Sequence, residues 1–174
     1  MENIKNELQK LKVDAIIGKK KHFNAADRKE NYNTIFAVVI IILDVISGSV
    51  LVYEICKTDN IVFEFLCLLL ILISAILTGI QRFMGFHEDA IGHRKIGNEY
   101  IEISKDINML LAFLKDKAIS FEEFQEQAKD INKRIKNINR DAEKYTTNKK
   151  DFEIAKEGIN YGEENYTDKE LDLL

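Results

Sequence analysis

The chain has 174 residues, of which 46% are hydrophobic and 31% charged, and its formal net charge is −4. This modest negative charge, without a concentrated basic face, argues against nucleic-acid binding. The mean hydropathy of −0.19 resembles that of a soluble protein. The average conceals a division, because nearly all charged residues lie outside residues 34–83. The sequence also has no proline, which favours long, uninterrupted helices.

The first 33 residues are polar and carry a short stripe of apolar or small residues. The stripe has alternating spacings of four and three and consists of Ile4, Leu8, Leu11, Ala15, Gly18 and His22. Such spacing is typical of an amphipathic helix. We therefore predict an N-terminal cytosolic helix over residues 1–33.

Two apolar runs follow, at residues 34–55 and 61–83, with only a short polar break between them. About 22 residues at about 1.5 Å per residue give about 33 Å, close to the thickness of the bilayer hydrocarbon. The break is too short to hold a domain, so residues 34–83 are predicted to form a transmembrane hairpin. Basic residues flank the outer ends of the pair, at Lys19, Lys20, Lys21, Arg28, Lys29, Arg82, Arg94 and Lys95. This excess predicts that both termini are cytoplasmic.

Asp44 lies near the middle of the first run, where an ionised acid costs about 2.5–3.5 kcal/mol on insertion scales. Ser47 and Gly48 follow at i+3 and i+4, so the acid, a hydroxyl and a bare backbone share one helix face. These three residues are candidates for the lining of a pore. A ring of Asp44 side chains from several copies would favour cations.

The second run contributes small residues that are candidates for helix packing: Ser74, Ala75, Thr78 and Gly79. Ala75 and Gly79 form a small-xxx-small pair, which permits close helix approach. Two interpretations of Asp44 remain open. Either the acid is protonated or hydrogen-bonded to Ser74 or Thr78 and holds the hairpin together, or it lines a water-filled path between copies.

After the hairpin, the second span is expected to continue as a helix, with Gly85, Gly92 and Gly97 as candidate flexible points. Residues 84–145 are predicted to form a helical hairpin, because heptad spacing recurs on both sides of a short break. Ser120 and Glu123 predict a capping box at the second helix. The seam consists of Ile96, Tyr100, Ile103, Ile107, Leu110, Leu114, Phe124, Ile131, Ile135 and Ile138. It builds either an intramolecular bundle or an oligomer.

Residues 146–174 lose the heptad and are predicted to form a C-terminal tail, with a frayed helix ending near Gly158. No catalytic motif occurs, so no enzymatic activity and no cofactor are expected. His87 and His93 are six residues apart, which is unsuited to a shared metal on one helix face. We therefore expect no metal and assign His87, His93 and Arg94 to the cytosolic membrane interface.

Three features of the sequence resemble the SLATT proteins. They are the segment Lys21-His22-Phe23-Asn24-Ala25-Ala26, the tight hairpin, and the stretch from Phe86-His87-Glu88 through His93-Arg94 to Tyr100. The resemblance covers roughly residues 15–115. These proteins are two-transmembrane effectors of prokaryotic nucleotide-signalling defence systems. The resemblance implies a membrane-perturbing or pore-forming effector that a sensor or nucleotide-generated signal releases during phage infection.

The expected fold is an all-α membrane protein, a two-helix transmembrane hairpin with long helical cytosolic extensions that form an antiparallel coiled-coil-like bundle. The leading hypothesis is an oligomeric two-pass effector of the prokaryotic plasma (inner) membrane, which forms a depolarising pore in anti-phage defence and is triggered through its cytosolic helices. The alternative is a membrane-anchored coiled-coil scaffold that recruits a partner and has no pore. Expected partners are the lipid bilayer, further copies of the chain and an upstream sensor or nucleotide-signalling protein.

Overall fold

The computed structural model describes residues 2–57 and 61–167. Five helices follow one another: α1 Glu2–Lys57, α2 Ile61–Met84, α3 Phe86–Lys115, α4 Phe121–Ala142 and α5 Lys149–Asn160. No strand occurs among the described residues, and the predicted all-α membrane fold is confirmed. The polar break at residues 58–60 and the end of the predicted tail, residues 168–174, lie outside the described part of the chain.

The chain divides into two compact units. We call Asp27–Ala90 the hairpin unit, and Met1–Ala26 together with Ile91–Leu174 the bundle unit. Both unit boundaries fall inside helices, because α1 and α3 each contribute residues to both units.

The hairpin unit pairs the apolar part of α1 with α2 in antiparallel orientation. Three contacts show this orientation, because the residue numbers rise along α1 while they fall along α2. They are Asn33 with Gln81, Asp44 with Ser74, and Ser47 with Cys67. The most apolar window of each helix is only 11% buried, whereas the core helix of a soluble protein is mostly buried. Apolar faces of this length and exposure are stable in lipid rather than in water.

The predicted heptad stripes pack against one another inside the bundle unit. Nine seam residues are at most 7% exposed: Ile96, Tyr100, Ile103, Ile107, Leu110, Phe124, Ile131, Ile135 and Ile138. Leu114 is partly buried against them, and Leu8 and Ala15 of α1 belong to the same cluster. Contacts of Tyr100 with Asn139 and of Asp106 with Arg134 make α3 and α4 antiparallel. The stripes therefore bury one another within one chain.

Both α4 and α5 begin at capping boxes. At α4, the Ser120 side chain accepts from the Glu123 backbone N–H, and the Glu123 side chain accepts from the Ser120 backbone N–H, which confirms the prediction. Asn148 and Asp151 form the same arrangement at α5. Because this cap satisfies the first N–H groups of a new helix, α5 is a distinct, capped element, where the sequence analysis predicted a frayed helix that ends near Gly158.

Gly85 separates α2 from α3, although one continuous helix was expected. Its φ of +57° lies in the left-handed region, which glycine adopts without a steric penalty. The Asp89 N–H donates to the Gly85 carbonyl at 2.9 Å, so α3 begins immediately after the break. Of the three candidate flexible points, Gly85 is thus the junction between two helices, whereas Gly92 and Gly97 lie inside the unbroken α3.

We predict that Ile107→Ala lowers the free energy of unfolding of the bundle unit by about 2–5 kcal/mol, because a fully buried side chain leaves a cavity. The measurement is hydrogen exchange of α3 and α4 amides in the full chain in detergent. Met109→Ala is the matched control, since Met109 lies in the same helix and is 57% exposed. The control should change stability by less than about 0.5 kcal/mol. Equal losses in the two variants would contradict this seam.

Candidate functional site

Asp44 accepts a hydrogen bond from Ser74 inside the hairpin unit. The Ser74 hydroxyl oxygen lies 2.5 Å from Asp44 Oδ1 and joins α1 to α2. Ser74 is only 4% exposed, whereas Asp44 remains exposed on the surface of the hairpin. The carboxylate is therefore held at one oxygen by the neighbouring helix, while the residue as a whole faces outward.

Three small residues form the closest part of the contact between α1 and α2. Ser47, Cys67 and Ser74 are at most 4% exposed. The Ser47 hydroxyl donates to the Leu43 carbonyl of its own helix at 2.9 Å, so it turns inward and not toward an outer path. Cys67 was not among the predicted packing residues. Its place opposite Ser47 follows from the antiparallel register, which no pattern within α2 reveals.

The other small residues of the spans lie on open faces. Ala75, Thr78 and Gly79 of α2 and Gly48 of α1 are exposed. A Cβ atom built at Gly48 or Gly79 would have no neighbour within 4 Å. Of the predicted packing set, the structure thus brings only Ser74 into the contact within the hairpin. The small-xxx-small pair faces outward.

Polar residues also join the two helices near the other end of the hairpin. The Gln81 side-chain amide donates to the Asn33 side-chain oxygen at 2.8 Å and to the Asn33 carbonyl at 3.1 Å. His87, predicted at the interface, is exposed a few residues further along the chain. Arg94, which belongs to the bundle unit, is exposed as well.

His93 lies in the interior of the bundle unit rather than on its surface. It is 1% exposed and faces His22, which is 2% exposed. Their Nδ1 atoms are 3.0 Å apart, so one ring donates and the other accepts. His22 occupies an inward position of the α1 stripe. That position could have indicated its burial, but nothing in either helix identifies the partner.

The pKa of His22 is lowered from 6.5 to about 4, and burial is the largest cause. The nearby His93 and Lys21 contribute to this lowering, whereas the carboxylate of Asp151 acts in the opposite direction. Asp151 is itself 2% exposed and caps α5 through the Asn148 backbone N–H at 2.9 Å. His22 is therefore held neutral at pH 7 inside the folded unit.

The described residues contain no group of three or more His, Cys, Asp or Glu side chains that could hold a metal ion. The two polar arrangements described above differ in exposure. The histidine pair is enclosed by protein, whereas Asp44 reaches the surface of an apolar hairpin. Asp44 is therefore the better placed to meet a solute or a second molecule.

We predict that Ser74→Ala weakens the association of α1 with α2 by about 0.6–1.7 kcal/mol, the range measured for hydrogen bonds between membrane helices. The reason is the loss of the hydrogen bond that Ser74 of α2 donates to Asp44 of α1. Steric trapping of the hairpin in bicelles measures the change. Ser49→Ala is the control, because the Ser49 hydroxyl bonds its own helix at the Val45 carbonyl. A loss of equal size at Ser49 would contradict the assignment.

We predict that the bundle unit loses stability as the pH falls from about 6.5 toward about 4. In the unfolded chain His22 takes up a proton near pH 6.5, whereas in the folded unit it does so only near pH 4. The expected slope from this group approaches about 1.4 kcal/mol per pH unit. Hydrogen exchange of α3 amides measures it, and His22→Phe should flatten the profile. His87→Gln, an exposed control, should leave the slope unchanged.

No curated protein and no solved structure matches the chain significantly. A family model described as SMODS and SLOG-associating 2TM effector domain family 4 matches residues 5–170, which is nearly the whole chain. The resemblance to the SLATT proteins is thereby confirmed. The chain belongs to the SMODS and SLOG-associating 2TM effector domain family 4, a family of two-transmembrane effector domains.

Proposed function

We propose that this membrane effector acts by forming a pore from several copies of its transmembrane hairpin, with Asp44 facing the conducting path. Such a pore would depolarise the prokaryotic plasma membrane and arrest a phage-infected cell. The proposal requires no enzymatic step. Two helices enclose no lumen by themselves, so conduction requires an oligomer.

The exposure of Asp44 is the observation that carries this proposal. The hairpin around it is apolar and meets lipid on most of its surface. Ser74 donates one hydrogen bond to Asp44, but a carboxylate has about four acceptor sites. An acid exposed to hydrocarbon costs about 2.5–3.5 kcal/mol or more. Water in a pore, or polar groups of another copy, would remove that cost, and a ring of acids would favour cations.

The faces available for assembly lie on the hairpin unit. The heptad seam of α3 and α4 is occupied within one chain, so it offers little surface to a second copy. Gly48 and Gly79 are open to close approach. Small residues of this kind allow membrane helices to pack tightly. We therefore propose that the oligomer forms through Gly48 on α1 and through Ala75, Thr78 and Gly79 on α2.

The proposed topology places residues 34–55 and 61–83 in the bilayer, with both termini in the cytoplasm. Basic residues before α1 enters the membrane and after α2 leaves it support this orientation. The helices of residues 1–33 and 84–145, with the C-terminal segment from residue 146, would then receive the trigger from an upstream sensor or nucleotide-signalling protein.

The alternative is a membrane-anchored scaffold, in which the spans serve only as an anchor. The Ser74 hydrogen bond favours this alternative, because it supplies a structural role for Asp44 within a single hairpin. A scaffold predicts that an unrelated apolar hairpin can replace both spans without loss of activity. The pore predicts that this replacement abolishes it.

We predict that expression of the chain depolarises bacterial cells, measured with a membrane-potential dye, and that Asp44→Asn removes most of the effect. The amide keeps the size and the hydrogen-bond acceptor but loses the charge. Asp44→Glu should retain the effect. Asp27→Asn is the control, since Asp27 is an exposed acid outside the apolar run.

Membrane levels of each variant are matched before comparison. Full depolarisation by Asp44→Asn would contradict the proposed role of the Asp44 charge in conduction. Absence of depolarisation by the wild-type chain under any trigger, including phage infection, would contradict the pore, as would a monomeric or dimeric particle in detergent.

A further inference from the structure

Two lysines of α1 are held by two glutamates from the end of the described chain. Lys19 Nζ lies 2.6 and 2.7 Å from the two carboxylate oxygens of Glu164. Lys20 Nζ lies 3.4 Å from Oε1 of the same Glu164 and also forms an ion pair with Glu163. Two ammonium groups thus converge on one carboxylate oxygen, which defines a compact site for an anion.

The site is partly shielded from water, because the side chains of Lys19 and Lys20 are only 20% and 14% exposed. Charges in such surroundings interact more strongly than on an open surface. Two ammonium groups held close together therefore require about two negative charges. In the described state Glu163 and Glu164 supply these charges.

A defined turn places the two glutamates. Gly162 has a φ of +84°, in the left-handed region, and the Glu163 N–H donates to the Gly158 carbonyl at 3.1 Å. The Glu163 carboxylate lies over Gly158, which has no side chain of its own. The turn therefore brings both glutamates close to Lys19 and Lys20.

The segment that carries the glutamates is otherwise weakly anchored. The residues that α5 buries are Asp151, Ala155 and Gly158, which provide little apolar surface. Its large apolar residues Phe152 and Ile154 are 40% and 45% exposed. The attachment of the segment thus depends heavily on polar contacts. They include the hydrogen bond from the Asn24 side-chain amide to the Asp151 carbonyl at 2.9 Å and the lysine–glutamate ion pairs, of which a competing anion can replace the ion pairs.

We propose that Lys19 and Lys20 form a binding site for a phosphate-bearing ligand. In the absence of this ligand, the carboxylates of Glu163 and Glu164 occupy the site and compete with it. A phosphate group carries up to two charges and three acceptor oxygens on one centre, and lysine is a common point-charge partner for it. Binding of such a ligand would release the glutamates and α5 from α1. The proposal is independent of pore formation, since it concerns the bundle unit alone.

The test is calorimetric titration of the full chain in phosphatidylcholine nanodiscs with inorganic tripolyphosphate. Glu163→Gln with Glu164→Gln should bind at least about tenfold more tightly than wild type, because in wild type the apparent affinity is reduced by the fraction of molecules in which the glutamates leave the site free. Lys19→Gln with Lys20→Gln should abolish binding. In wild type, tripolyphosphate should also increase hydrogen exchange in Lys149–Asn160.

Lys10→Gln with Lys149→Gln is the matched control, because it removes the same two charges from lysines whose side chains are 71% and 88% exposed. It should bind like wild type. Loss of binding in this control, equal binding after removal of Lys19 and Lys20, or no gain from the glutamine pair would each overturn the proposal.

Nanodiscs that contain phosphatidylglycerol identify the source of the phosphate. If the anionic headgroups compete with tripolyphosphate in the glutamine pair, the site takes lipid phosphate. If the affinity is unchanged, it takes a soluble phosphate compound. Either result supports the site, provided that binding depends on Lys19 and Lys20.

Discussion

The architecture of this protein depends on α1, a single helix whose first part packs against protein and whose second part is apolar on its exposed surface. The 56 residues of α1 begin in the bundle unit and end in the hairpin unit. In the bundle unit α1 buries a stripe that includes Leu8, Ala15 and His22. In the hairpin unit it exposes apolar side chains on nearly every face, which only a bilayer tolerates. The first part of α1 therefore needs protein partners, whereas the second part needs lipid and a single narrow contact with α2.

That narrow contact is compatible with both interpretations of Asp44, the structural role within the hairpin and the proposed role in a pore. The hydrogen bond from Ser74 fixes the carboxylate beside α2, and Ser47 and Cys67 keep the helices close next to it. The same bond leaves most of the acceptor capacity of the acid directed outward. A hairpin stabilised by its own acid can thus present this acid to other copies without rebuilding its interior.

Local patterns predicted much of the fold. The spacing of Ile96, Ile103 and Leu110 identifies one face of α3, and that face is the buried one. The capping box at Ser120 is also visible in the sequence, because it involves neighbours three residues apart. The candidate site was less predictable. Small residues lie on several faces of α2, and consecutive residues are about 100° apart on a helix. The sequence therefore offered Ser74 and Thr78 as alternative partners of Asp44, of which the structure shows Ser74, but it could not show that Gly79 faces away from α1.

Local sequence patterns could not predict contacts between distant parts of the chain, and the reason is different. His22 and His93 are 71 residues apart, and Lys19 and Glu164 are 145 residues apart. Neither member of such a pair alters the periodicity around the other. Only the packing of three helices brings them together, so they become visible when the bundle is assembled.

The same separations impose an order on biosynthesis. At about 5–20 residues per second, a ribosome adds the 71 residues between His22 and His93 in about 4–14 s. During that interval the apolar stripe of α1 has no partner within its own chain, while both spans are being made. The bundle can therefore close only after the hairpin has been synthesised. In any molecule whose bundle is folded, both spans have therefore already been synthesised.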